Sequence, residues 1–160
     1  MADDTGERLR VLILFGSVRS ERRGFGVARF VERRLAERGV ATEIADPAEI
    51  RLPLLDRMYK EYPAGEAPEP MERMAAMIRR ADGVAVVSAE DNHGMPPALK
   101  NAIDHFLEEW RFRPAGIVSY SAGRFGGVGA AVQLRMTLAQ VGMPTISSRL
   151  AVPAVGRADW

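Results

Sequence analysis

Residues 10–30 read RVLILFGSVRSERRGFGVARF: an apolar run that breaks at Gly16-Ser17, passes through Arg19, Arg22 and Arg23, and resumes as amphipathic chain. Arg10–Phe15 has the length and continuous apolarity of a strand buried on both faces. From Val27 to Arg38 the apolar residues Val27, Phe30, Val31 and Leu35 fall on one helical stripe, and Gly39 stops it. A strand that hands over to a helix across a tight turn gathers outward-pointing amides and the positive end of the helix dipole, which suits an anion. Three arginines at that point oppose the dipole unless an anion offsets them. The loop therefore reads as a phosphate site built on Gly16, Ser17 and the three arginines. It carries neither the Gly-Lys-Ser/Thr of a Walker loop nor the glycine spacing of a dinucleotide fingerprint.

The same alternation continues outward. Strands are predicted at 40–46 (VATEIAD), 83–88 (GVAVVS), 115–121 (AGIVSYS) and 145–152 (TISSRLAV), and helices at Met71–Arg80, Pro96–Trp110 and Val128–Val141. Between the second strand and second helix, Pro47–Pro70 holds five prolines and the apolar patch LPLLDRMY, and is predicted to be a long loop. Repeated β-then-α units with apolar strands imply a parallel sheet covered by helices on both sides. Ligands in such sheets sit beyond the carboxyl ends of the strands, where strand order reverses, so the loops after strands one, three and four are the ones that matter.

The 160 residues are expected to form a single domain over 1–160. With 22 basic and 21 acidic residues, net charge +1, no bulk field draws the chain to nucleic acid. The absence of cysteine excludes disulfides, a thiolate nucleophile and cysteine-ligated metal. The opening MADDTGER lacks the basic-then-apolar character of a signal peptide, and no apolar run approaches the ~20 residues of a membrane span. A cytoplasmic protein without membrane contact is expected.

The second loop, following strand three, holds Glu90, Asp91, Asn92, His93 and Gly94, a polar turn able to read the edge of a flat heterocycle. His93 has no partner acid or nucleophile fixed by spacing, so no catalytic role is assigned to it. His105 reads as packing or surface, and Lys100 with Asp104 as a surface pair one helical turn apart. The third loop holds Ser121, Gly123, Arg124, Phe125 and Gly126. Its glycines at 123, 126 and 127 imply close backbone approach or left-handed dihedrals.

Taken together, these motifs resemble the NAD(P)H-dependent FMN reductase family of flavodoxin-like proteins, whose relatives include azo-dye, quinone and chromate reductases. The resemblance covers about residues 10–153. Gly16-Ser17-Val18-Arg19 with Arg22 and Gly24 is similar to the family's phosphate loop. Glu90–Gly94, then Pro97 and Leu99-Lys100-Asn101-Ala102-Ile103-Asp104, is similar to its Pro-Glu-Tyr-Asn…Leu-Lys-Asn-Ala-Ile-Asp signature. Ser121-x-Gly123-x-x-Gly126-Gly127 with Gln133-Leu134-Arg135 is similar to its ring-side loop and following helix.

The resemblance implies a flavodoxin-like three-layer α/β/α fold with a five-stranded parallel sheet, order 2-1-3-4-5. It implies FMN held by Ser17, Arg19, Arg22 and Gly24 at the phosphate, Glu90, Asp91, Asn92, His93 and Gly94 at the flavin edge, and Ser121, Gly123, Arg124, Phe125 and Gly126 beside the ring. NADPH or NADH would supply hydride to flavin N5, and a small acceptor would follow in ping-pong turnover. A homodimer or homotetramer is implied; the third helix, through Phe106 and Trp110, and the LPLLDRMY loop read either as its contact surfaces or as completing the core. Rival readings are a flavodoxin-like electron carrier, a pathway-specific flavoprotein, and a supplier of reduced flavin to a monooxygenase. Two departures stand out: Ala89 and Asp91 replace the family's proline and tyrosine, placing a carboxylate where an aromatic ring is usual, and the family's closing helix after strand five is expected to be absent.

Overall fold

The structure, a computed structural model, describes residues 8–156; the acidic opening stretch and the residues after Gly156 lie outside it. Five parallel strands stand in the order β2-β1-β3-β4-β5: β1 Arg10–Phe15, β2 Ala41–Ala45, β3 Gly83–Ala89, β4 Ala115–Tyr120 and β5 Thr145–Val152. The helices are α1 Phe25–Ala36, α2 Pro47–Ile50, α3 Glu69–Arg80, α4 Pro97–Asp104 and α5 Val128–Gln140. β1 pairs β2 on one side and β3 on the other, so the order reverses above its carboxyl end.

Alternate residues of each strand serve the two layers, which is why β1 reads as unbroken apolar sequence. Leu12, Leu14, Val84 and Val86 pack with α3, α4 and α5 through Met74, Ile78, Leu99, Ile103 and Leu134. Ile13, Phe15, Val87, Val118 and Tyr120 face the other way, toward α1 through Val27 and Ala28. β5 is an edge strand paired only to β4 among the described residues, exposed from Ile146 to Ala151 and buried again at Val152. No helix follows it among the described residues.

Two expectations are corrected. The Pro47–Pro70 segment is not continuous loop: Asp46 caps α2 by accepting from the Ala48 amide at 2.9 Å, and a 3₁₀ turn forms at Tyr59–Glu61. The helix beginning at Pro96–Pro97 ends at Asp104 rather than Trp110, because Trp110 folds back and its indole N–H donates to the Ile103 carbonyl at 3.0 Å. Phe106 and Trp110 thereby enter the core, 1% and 0% exposed, and are not available as a subunit contact. The LPLLDRMY segment is tied to α4 instead of hanging free: Asn101 accepts from the Leu55 amide at 2.9 Å and donates to the Pro53 carbonyl at 2.8 Å.

Candidate functional site

The loops after β1, β3 and β4 converge on one cleft of about 340 Å³ at the carboxyl edge of the sheet, lined among others by Ser17, Arg19, Gly24, Glu90, Asp91 and Tyr120. A second hollow of about 210 Å³ lies where β1 and β2 begin, but its charged residues Arg80 and Glu43 already pair at 2.9 Å. The first cleft sits at the topological switch point and is the candidate site.

The first loop is pinned from below. Gly16 donates to the Val87 carbonyl at 3.0 Å, and a Cβ on Gly16 would come within 3.0 Å of Leu99, so the β1 turn rests on α4. Ser17 is buried and its Oγ accepts from the Arg19 amide at 3.4 Å. The three arginines are not equivalent. Arg22 is bound by the buried carboxylate of Asp46 and lies 5.0 Å over the Phe25 ring; Arg23 pairs with Glu21 at 3.5 Å. Arg19 is exposed and has no acidic partner among the described residues. It is the loop's uncommitted cation.

The second loop is a two-residue hairpin. Asp91 and Gly94 exchange backbone hydrogen bonds at 2.9 and 3.0 Å, while Asn92 and His93 take φ of 52° and 66°, the left-handed pair of a type I′ turn. Both tip side chains are exposed. Glu90 turns away toward α5, where its Oε2 accepts from the Ala130 amide at 3.1 Å, and Gln133 on α5 accepts from the Met95 amide at 2.7 Å. Gly129 makes that approach possible, since a Cβ there would lie 2.9 Å from the His93 ring. His93 Nδ1 stands 3.7 Å from Glu90 Oε1.

In the third loop Gly126 and Gly127 have φ of 61° and 77°, and a Cβ on Gly127 would come within 2.9 Å of the Tyr120 carbonyl. Gly123 has neither a left-handed φ nor a crowding neighbour, so the backbone requirement expected there is absent. Ser121 donates to the Gly123 carbonyl at 3.1 Å. Arg124 stacks 4.7 Å over Phe125, which is 64% exposed. The chain after β5 closes this side: Ala154 and Val155 donate to the carbonyls of Gly123 and Ser121 at 2.9 and 3.0 Å, and Val155 lines the cleft.

Four contributors escaped the sequence reading. Asp46 ends a strand, with no local sign that it would reach Arg22. Gly129 looked like an ordinary helix residue. Val155 follows the last strand. Tyr120 read only as the end of β4, yet it is 5% exposed with its ring against Gly24, where a Cβ would fall 1.9 Å from Tyr120 Cζ. Burial first, then the Asp91 carboxylate, pushes its phenol up to about 12, against the hydrogen bond from Ser17 and the charge of Arg22.

Fold and site together define a flavodoxin-like protein whose first loop brings Ser17 and Arg19 to the switch point of the sheet. The sequence profile of the family described as NADPH-dependent FMN reductase matches residues 9–156. A quinone reductase of Pseudomonas putida is 36% identical over 140 residues, covering 84% of this chain and 72% of that protein. An NAD(P)H-dependent FMN reductase of Saccharomyces cerevisiae is 31% identical over 142 residues, covering 81% and 73%. The fold superimposes on FerB, a flavoenzyme NAD(P)H:(acceptor) oxidoreductase from Paracoccus denitrificans, with a TM-score of 0.77 at 23% identity, over 95% of this chain and 80% of that one. The chain belongs to the NADPH-dependent FMN reductase family: it is an oxidoreductase with FMN as cofactor and NAD(P)H as reductant. Among the described residues no helix is long and apolar enough to cross a membrane.

Proposed function

We propose that this protein is an NAD(P)H-dependent FMN reductase that passes electrons to a small quinone-type acceptor by ping-pong turnover, as a cytoplasmic homodimer or homotetramer. The observation that carries this reading is the pairing pattern in the first loop: Arg22 is held by the buried carboxylate of Asp46 and Arg23 lies 3.5 Å from Glu21, while Arg19 has no acidic partner among the described residues and stands beside the buried hydroxyl of Ser17. A single uncommitted guanidinium next to hydroxyl and amide donors fits the phosphate of FMN. When bound, the flavin supplies the redox chemistry, taking hydride from nicotinamide at N5 and giving electrons to the acceptor.

The chain's own residues position and exclude. Ser17, Arg19 and Gly24 would hold the phosphate, with Arg22 holding the loop's shape through Asp46. The Asp91–Gly94 hairpin would present its backbone to the ring edge, and Glu90 would fix that hairpin to α5. Ser121, Gly123, Gly126, Arg124 and Phe125 would flank the ring, the last two on the solvent side where nicotinamide and acceptor exchange. Glu90 and Asp91 on the cleft wall disfavour an oxyanion acceptor and favour a neutral one. The 36% identity to a protein named quinone reductase supports the same choice.

The test is an anaerobic spectrum of purified protein loaded with FMN, before and after NADPH, followed by a quinone. Bleaching by NADPH and reoxidation by quinone are expected. Flavin that binds but stays oxidised with both NADPH and NADH would favour an electron carrier reduced by a partner protein. Arg19→Ala is expected to weaken FMN binding by about tenfold or more, the size of a charge-assisted hydrogen bond.

A further inference from the structure

Beneath the first loop, the last residue of β4 reaches the cleft. Tyr120 stacks on Phe15 with ring centroids 6.5 Å apart, and its ring edge and hydroxyl press on Gly24, the residue that opens α1. A Cβ on Gly24 would lie 2.3 Å from the Tyr120 oxygen, so the glycine and the tyrosine occupy one space between them. The hydroxyl of Ser17 neighbours that of Tyr120.

Two neighbouring hydroxyls have two protons, and a bond between them uses at most one. Ser17 Oγ also accepts from the Arg19 amide. One O–H of the pair therefore remains to be donated to a third group, and both residues line the cleft. At neutral pH the phenol keeps its proton while a phosphate monoester is largely doubly charged. Buried, uncharged and backed by a rigid strand, it costs little ordering when an anion arrives.

We infer that Tyr120 is part of the FMN phosphate site, its hydroxyl acting with that of Ser17 as one donor unit toward the phosphate. The proposal rests on FMN occupying the cleft and adds to that reading a residue outside the first loop. It gives Gly24 a role distinct from loop flexibility: the missing side chain is the room in which the tyrosine hydroxyl reaches the phosphate.

The test is binding of FMN and of riboflavin, which has the same ring and ribityl chain without phosphate, followed by quenching of flavin fluorescence in the parent, Tyr120→Phe, Ser17→Ala and the double variant. Tyr120→Phe keeps the ring that packs on Phe15 and Gly24. It is expected to weaken FMN about tenfold and riboflavin less than twofold. The double variant is expected to lose less than the product of the single losses, because the two hydroxyls work as a unit. Equal weakening of both flavins by Tyr120→Phe would make the residue structural and overturn the proposal, as would no change in either. A parent that holds riboflavin as tightly as FMN would overturn the phosphate site itself, and a parent that binds neither would overturn the flavin reading with it.

Discussion

The loop after β1 and the loop after β4 lie on the same cleft but are built in opposite ways. In the first, side chains make the site: Ser17 and Tyr120 are buried, Asp46 holds Arg22 from the neighbouring strand, and Gly24 is fitted to the tyrosine ring. In the second, the backbone makes it: Gly126 and Gly127 adopt left-handed φ, Ser119 donates to the Gly126 carbonyl at 2.7 Å, and Arg124 and Phe125 stand in solvent. The first therefore has little tolerance for change, as would suit a fixed anion. The second can vary its side chains without disturbing its frame, as suits a surface where one small molecule replaces another.

Gly24→Ala puts this contrast under the greatest stress. Its Cβ cannot coexist with the Tyr120 ring, so a loss of about 2–3 kcal/mol in stability or a collapse of FMN affinity is expected, read from thermal unfolding and flavin titration. Tyr120→Ala in the same chain is expected to restore a normal loop but not tight FMN binding. If Gly24→Ala alone were silent in both measurements, the first loop would be as plastic as the third.

Glu90→Ala removes the cap that the second loop provides to α5. A loss of about 1 kcal/mol is expected in denaturant unfolding, together with a raised KM for NADPH as the hairpin loosens. Glu90→Gln retains an acceptor oxygen and should recover most of both.

The buried phenol gives a pH signature. Tyr120 ionises near 12 in the folded protein and near 10 when unfolded, so the folded state holds its proton more tightly. Its contribution to stability is intact below pH 10 and is lost as the pH climbs toward 12. Absorbance at 295 nm should show a late phenolate step that Tyr120→Phe diminishes, Tyr59 also being raised by burial. A late step left unchanged by Tyr120→Phe would place the Tyr120 ring in water.

At the small end, Phe125→Ala is expected to change stability by less than about 0.5 kcal/mol and FMN affinity by less than twofold, while altering KM for the acceptor. A large loss of FMN would mean that the third loop recognises the cofactor through side chains after all.

Local pattern carried much of this molecule. The inner strands β1, β3 and β4 were legible because burial on both faces leaves apolar runs, as in RVLILF and GVAVVS, while the edge strands β2 and β5 showed weaker patterns; a parallel sheet follows from their alternation with helices. The first loop reads as an anion site because glycine, serine and arginine at a strand-to-helix junction leave few other roles. Helix ends were less legible: a stripe that continues through Phe106 and Trp110 cannot reveal that the indole turns back on Ile103 and ends α4 early.

Pairing between distant residues was decided by the tertiary structure alone. Nothing local to Arg22 or Asp46, 24 positions apart, says that they pair and leave Arg19 without an acidic partner among the described residues. Nothing near Gly24 names Tyr120 as its neighbour, and nothing at Glu90 points to the amide of Ala130. Side-chain type and spacing determine which elements form and where charge is available. Which charge is left over depends on strands brought side by side by the whole sheet, a property of the folded chain and not of any window along it.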